Sequence, residues 1–467
     1  MRRLTSLLFA LLVLGCTAAT PTVAPSNAPN QTAVNGGSTA PATAVPTQPS
    51  TSVPTSGATP AQPETPAASA IGTPVATADA LALARADLDN LLAQLELTHP
   101  EPFHGIRRED WVAELDALKE RLPELSPFEA QVQLQRVVTL LSVNGRDGHQ
   151  FALPLDDAPA LPIAVYEFEE GVFITAALAP HQDVVGSEIV ALNGHPIADV
   201  LAALEPLIPR DGPATVPGFR PIYFPRTSVL RGLGLIAEGS APMTVRDSAA
   251  VESELDLEPV PFSQYTGMVG QYGVGLPPNE TLYLSDPDRI IWWQDLPESN
   301  SFYIRYRMIG SIDSATLQAI EEGATAPGVE QVILDLRQNP GGDNNRYVGL
   351  LSVLTDERIN QPGRLFVLTD RRTFSAASNL STEVEQKTVA TFAGEPMGGG
   401  LNFWNDVRQV QLPRYPVPMW VGVSTRYWQK STADDPRLTI EPDLPFDVTA
   451  ADYFAGIDPV MEAITAR

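Results

Sequence analysis

Residues able to do chemistry concentrate between Gln331 and Glu383 of this 467-residue chain. Gln331 to Leu336 is a short apolar run rich in Val, Ile and Leu, bounded by a turn signal, which is the pattern of a buried parallel strand. It runs into Asn339-Pro340-Gly341-Gly342, where two glycines permit backbone conformations closed to other residues and leave N–H groups exposed. A second apolar run, Arg364 to Thr369, leads to Arg371-Arg372-Thr373-Phe374-Ser375-Ala376-Ala377-Ser378, and the pattern beyond it predicts a helix. A hydroxyl at a strand-to-helix turn therefore lies beside a glycine loop able to donate backbone hydrogen bonds. A serine nucleophile with an oxyanion hole needs those parts. Helix N-capping is the commoner task of a serine in that position.

A base has to come from elsewhere in the chain. The five histidines are His99, His104, His149, His181 and His195, and no two show the spacing of metal ligands, so neither a metal nor a cofactor is expected. His149 lies in Asn144-Gly145-Arg146-Asp147-Gly148-His149-Gln150, held by glycine-bearing turns ahead of a strand-like Phe151-Ala152-Leu153-Pro154. It is the candidate base, although a surface turn histidine would read the same way.

Composition sets further bounds. Thirty Lys and Arg stand against 56 Asp and Glu, a formal net charge of -26. Such a surface repels phosphate backbones and argues against nucleic-acid partners. Met1-Arg2-Arg3 is a basic start, Leu7 to Leu14 is too short to span a bilayer permanently, and the only cysteine, Cys16, closes Val13-Leu14-Gly15-Cys16. That segment resembles a bacterial lipobox, so residues 1–16 are expected to be a lipoprotein signal peptide. Cys16 would then be lipidated and the body held on the extracytoplasmic face of the cell membrane. Residues 17–76 are almost entirely Ala, Pro, Thr, Ser, Gly, Val, Asn and Gln, which cannot bury enough apolar area to offset ordering entropy and predict a disordered tether.

Order is expected from Thr77. Residues 77–150 read as a small helical domain, with leucines at helical spacing before His99-Pro100 and a capping box at Ser126-Pro127-Phe128-Glu129. Residues 151–215 read as β-rich. Gly186 to Ile197 looks like the G-x-x-I-x-x-I-N-G-x-P core of a PDZ-like module, with Leu192 at the second Ile, and a plain β-hairpin packed on the catalytic body reads equally well. Residues 216–300 read as an irregular connecting region. Residues 301–467 alternate strands with helices, which predicts a layered α/β domain on a largely parallel sheet.

Four segments now stand in a telling order. They are Asp147-Gly148-His149, Leu334 to Gly342, Thr373-Phe374-Ser375-Ala376-Ala377, and Gly394-Glu395 with Glu441-Pro442-Asp443 beyond. In that order they resemble the S41 serine peptidases, the C-terminal-processing and tricorn-type proteases, over roughly Thr77 to the end. The resemblance implies an α/β fold with a crotonase/ClpP-like catalytic domain, Ser375 as nucleophile, and oxyanion donors in the Gly341-Gly342 loop and at Ala376. Substrates would be peptides or proteins, and nothing in the sequence gives the oligomeric state. The lysine of the Ser-Lys branch is absent, because the matching stretch is Gly398-Gly399-Gly400. The tricorn-like branch uses an upstream histidine, which His149 fits, although Gly148 stands where that branch has a serine. Asp435 is nearest the expected place of the acid, with Asp434 and Glu441 as rivals. The missing lysine and serine also keep open a non-catalytic, peptide- or glycan-binding relative.

Overall fold

The computed structural model describes residues 77–155, 158–270 and 275–467. Cys16 and the expected tether lie outside the described residues. Three helices come first: α1 (Ala78–Thr98), α2 (Arg108–Arg121) and α3 (Pro127–Thr139). The Thr77 hydroxyl caps α1 by accepting the Ala80 N–H at 3.2 Å. The capping box opens α3 as expected, with the Glu129 N–H donating to Ser126 and the Ser126 N–H donating to the Glu129 carboxylate.

The middle of the chain carries β1 (Ala152–Pro154), β2 (Ile163–Glu167), β3 (Val172–Ala177), β4 (Glu188–Leu192), α4 (Ile197–Leu204), α5 (Thr215–Tyr223), α6 (Thr227–Gly232), β5 (Ala241–Arg246), β6 (Glu252–Leu257) and α7 (Phe262–Val269). Strands β2 to β6 form one antiparallel sheet in chain order. Residues 216–300 are therefore not irregular, and the division at 215/216 falls inside a sheet, since β4 pairs with β5 from Glu188↔Arg246 to Leu192↔Met243. The strands were hard to see for physical reasons. Pro242 puts a strand-breaking residue at an exposed position of β5, between buried Ala241 and Met243, and most of β6 faces solvent.

The remainder comprises β7 (Ile291–Leu296), β8 (Ser301–Tyr306), α8 (Ser314–Ala324), β9 (Gln331–Asp335), α9 (Val348–Leu354), β10 (Leu365–Thr369), α10 (Ala376–Lys387), β11 (Thr391–Gly394), β12 (Asn402–Asn405), β13 (Arg408–Leu412), β14 (Met419–Val423), β15 (Arg426–Gln429), β16 (Leu444–Pro445), α11 (Ala450–Ala455) and α12 (Pro459–Thr465). Its sheet runs β16-β11-β10-β9-β8-β7, parallel throughout except for the edge strand β7. Helices cover it, so β8, β9 and β10 are buried along their whole length. Loops 336–342, 370–375 and 394–400 all leave the carboxyl ends of parallel strands, the end at which open α/β sheets place their sites.

Two smaller sheets tie the chain ends together. One has the order β1-β14-β13, and the other pairs β12 with β15. Met419, Val421 and Val423 of β14 share a core with Leu88, Leu95, Trp111, Leu115 and Val138, so the N-terminal helices are completed by strands from the far end of the sequence. Beneath the 336–342 loop, the Arg337 guanidinium spans Asp335 (2.6 Å) and Asp458 (2.8 Å), with Arg305 3.7 Å from Asp335 and the Tyr283 ring 3.8 Å from Arg337. Among the described residues, no helix is long and apolar enough to cross a membrane.

Candidate active site

Ser375 sits at the turn from β10 into α10 with φ 56° and ψ −124°. Non-glycine residues rarely hold such a conformation, which costs about 1–3 kcal/mol and persists only where the surroundings enforce it. The enforcing contacts are visible. Phe374 N–H donates to Asn339 O (3.0 Å), Thr373 Oγ1 donates to Leu336 O (2.9 Å), and Asp370 accepts the N–H groups of both Gln338 and Arg372 (2.9 Å each). The serine makes no side-chain capping bond to its helix, so the ordinary explanation for a serine before a helix does not apply. Its Oγ accepts from Asn405 Nδ2 at 3.2 Å. A strained hydroxyl residue at a strand-to-helix turn is how hydrolases present a nucleophile.

The glycine loop lies directly against it. A Cβ on Gly341 would fall 2.6 Å from Ser375 Cβ and 2.8 Å from the Ala376 nitrogen, so only glycine fits there. The Gly341 N–H donates to Asn339 Oδ1 at 2.9 Å. Ala376 supplies the first N–H of α10, one of the groups a helix leaves without an intrahelical acceptor. Strain gathers around this point. Besides Ser375, the positive-φ residues Arg146 (72°), Gln338 (57°) and Asp406 (57°) each lie in a loop that meets it.

The upstream half of the site arrives as well. The His149 ring stacks on Phe374, one residue before the serine, with centroids 4.5 Å apart, and on Phe403 at 5.5 Å. Neither ring nitrogen has a hydrogen-bond partner among the described residues, so the histidine is brought beside the serine's turn but is not bonded to its hydroxyl. Burial pushes the imidazole down to about 3, with the Asp147 charge opposing. The folded protein therefore refuses a proton that the unfolded chain accepts near pH 6.5. This group's stabilising contribution is whole above pH 6.5 and is lost as the pH falls, by about 1.4 kcal/mol per unit. Thermal melts from pH 7 to 4 should accordingly fall more steeply for the wild type than for His149→Phe. Equal slopes would place His149 in a wetter setting.

Asp435 lies apart from this pair. Its oxygens take hydrogen bonds from Ser431 Oγ (2.6 Å) and Arg437 (2.8 Å), and the Arg437 bond holds its carboxyl well below the usual range. Its carbonyl accepts from Arg146 of the His149 loop at 2.9 Å, and that is its connection to the upstream half. The rivals Asp434 and Glu441 are both exposed.

Three features here have no counterpart in the sequence reading. Asn405 ends the short strand β12, and nothing in its spacing along the chain marks it. Asp211 accepts the Gly148 N–H of the His149 loop with one oxygen and the Gly400 N–H with the other. The third is a buried cluster in which Asp147 accepts from His99 Nε2 (3.1 Å), His104 Nε2 (3.4 Å), Ser424 Oγ (2.7 Å) and Gln150 Nε2. Burial opposes ionisation of Asp147, but donors from His104, His99 and Gln150 outweigh it and hold the carboxyl below its ordinary value.

His99, His104 and Asp147 are close enough to invite a metal reading. The tautomer argues otherwise. The Glu101 N–H donates to His99 Nδ1 at 3.0 Å, which leaves the proton on Nε2, facing Asp147. A metal-binding histidine needs the reverse, a lone pair at the ligating nitrogen and a donor at the other. The cluster is a hydrogen-bonded brace under the loop that carries His149.

The fold is S41-peptidase-like. Among solved structures, mature CPAF complexed with lactacystin superimposes at a TM-score of 0.59, with 14% identity over 83% of this chain and 98% of that one. Mature CPAF gives 0.54, with 13% identity over 83% and 97%. The photosystem II D1 C-terminal processing protease aligns at 0.37, with 15% identity over 79% and 94%, too distant a superposition to carry an argument. No family model and no curated protein matches the sequence.

Proposed function

We propose that the protein is a serine endopeptidase that hydrolyses peptide bonds through Ser375, with His149 as its base. The observation that carries this reading is the Ser375 backbone, strained at a strand-to-helix turn directly against the glycine loop. The hydroxyl would attack a peptide carbonyl carbon as its proton passes to His149. The oxyanion would be held by the Ala376 N–H and the Gly341-Gly342 loop, where one donor is worth about 10²–10³ in rate. His149 would return the proton to the departing amine, and water would release the acyl group by the same route. The imidazole has to turn out of the Phe374–Phe403 stack before it can take that proton. The charge that favours protonated His149 is that of Asp147, two residues before it, and Asp435 is bonded instead to Arg437 and Ser431. Lipidation at Cys16 would hold the enzyme at the outer face of the cell membrane, a reading supported by the Val13-Leu14-Gly15-Cys16 pattern.

A second reading, a peptide- or glycan-binding protein with a decayed site, has one observation in its favour: His149 lacks a hydrogen bond to Ser375. Incubation with a fluorescein-labelled unfolded protein separates the two. The peptidase reading expects acid-soluble fragments from wild type and a loss of about 10³-fold or more in His149→Ala. Binding of the labelled protein without fragments in either form would establish the second reading.

A further inference from the structure

We propose that Asp211 is the positioning residue that ties the His149 loop to the Ser375 turn, occupying the space a side chain at position 148 would fill. The inference rests on the peptidase reading for its catalytic consequence but not for its geometry. Residues 145–148 lie along Arg210 and Asp211: Arg146 N–H donates to Asp211 O (2.9 Å) and Asp147 N–H to Arg210 O (3.2 Å). The Asp211 carboxylate then reaches both ways. One oxygen accepts the Gly148 N–H at 2.6 Å and the other the Gly400 N–H at 3.3 Å.

The bridge reaches both halves of the site. Gly148 precedes His149. Gly399, beside Gly400, donates its N–H to Thr373 O (3.1 Å), and a Cβ there would lie 3.2 Å from the Ser375 nitrogen. Thr215 fixes the aspartate's own turn, its Oγ1 accepting the N–H groups of Asp211 and Gly212 (3.1 Å each) and donating to Gly398 O (2.5 Å). Asp211 is fully buried, so its two acceptor bonds are not exchanged for water.

The fit also explains the glycine. A Cβ on residue 148 would stand 3.0 Å from the Asp211 nitrogen and 3.1 Å from its Cγ and Oδ1, so a side chain at 148 and the carboxylate of 211 compete for one space. Burial pushes the Asp211 carboxyl up to about 7, with Asp147 adding to the rise and the Gly148 and Gly400 N–H groups and Arg146 opposing it. His149 makes no side-chain hydrogen bond among the described residues, so its ring is placed by its loop and its two stacking partners. Asp211 is what fixes that loop against the nucleophile's.

The test reads two quantities on the same samples: amide hydrogen exchange of segments 145–150 and 398–402, and the rate of fluorophosphonate labelling. Asp211→Asn keeps the shape but turns one acceptor into a donor, so one tether is lost. It should speed exchange in both segments and slow labelling by about 10–100-fold, the scale of an ångström's misplacement. In a His149→Ala background, Asp211→Asn should slow labelling no further, because it acts through that residue. Gly148→Ala, which presses a methyl on the carboxylate, should speed exchange in the same two segments and serves if Asp211→Asn does not fold. Unchanged exchange at 398–402, unchanged labelling, or a full additional loss in the His149→Ala background would overturn the proposal. A wild type that takes no label would end the peptidase reading instead, and the exchange result alone would then decide whether Asp211 is the bridge.

Discussion

Ser375→Ala should lower peptide hydrolysis by about four to six orders of magnitude and change stability by only about 1 kcal/mol. The size follows from what the residue contributes: without Oγ there is no acyl-enzyme, and only binding and oxyanion stabilisation remain. Alanine keeps the Cβ, so the strain of φ 56° stays, and the change on folding is the loss of one hydrogen bond from Asn405 at 3.2 Å, worth about 1 kcal/mol. Ser378 is the matched control, three residues on in the same helix. It is buried and donates to Thr373 O at 3.2 Å, a single bond worth about 1 kcal/mol. Ser378→Ala should therefore cost stability of that order while hydrolysis survives. Equal loss of activity in both variants would mean that the turn, and not the Ser375 hydroxyl, is what matters.

Arg337→Ala should be the most destabilising single change outside the apolar cores, by about 3–5 kcal/mol. Its side chain is almost wholly buried between Asp335 and Asp458, and Asp335 is fully so. Burial disfavours the Asp335 charge, but Arg337 and then Arg305 hold its carboxyl below the ordinary range. Removing Arg337 leaves that buried carboxylate with Arg305 at 3.7 Å and the Tyr303 hydroxyl at 2.9 Å, and it takes the partner from the aspartate that caps α12. Arg337→Lys should recover only part of the loss, since a point charge cannot bridge two carboxylates as a planar fork does. Urea titration gives the number: a midpoint shift with unchanged slope for the alanine variant is expected, and a shift under 1 kcal/mol would contradict the network's assigned role. The consequence should reach the site, because Arg337 lies two residues before Asn339, which orders the glycine loop.

The parts of this molecule that were legible in the sequence are those where a local rule and the tertiary structure agree. Strands β9 and β10 are continuous apolar runs because both faces are covered, and the capping box at Ser126 is a local device that needs no distant partner. Ser375, its glycine loop and the His149 loop stand out in the sequence as rare residue combinations, and folding brings them side by side. What the sequence hid was everything set by contact between distant segments. Strands β5 and β6 escaped notice because a proline and a solvent-facing run mask their period. Asn405, Asp211 and the His99–His104–Asp147 brace are ordinary polar residues until folding brings them within 3.5 Å of one another or of the site's loops. Histidines with no ligand spacing in the chain became neighbours by the same route. Asp435 shows the converse, a residue whose sequence position suggested the third catalytic role and whose bonds go to Arg437 and Ser431.

The central claim is that Ser375 is a nucleophile. Its most direct test is to treat the folded wild type with a fluorophosphonate, digest it, and locate the adduct by mass spectrometry beside a known serine hydrolase. One stoichiometric adduct on Ser375 is expected, absent from Ser375→Ala and retained in Ser378→Ala. An unmodified protein alongside a labelled control, or an adduct on any other serine, would contradict it.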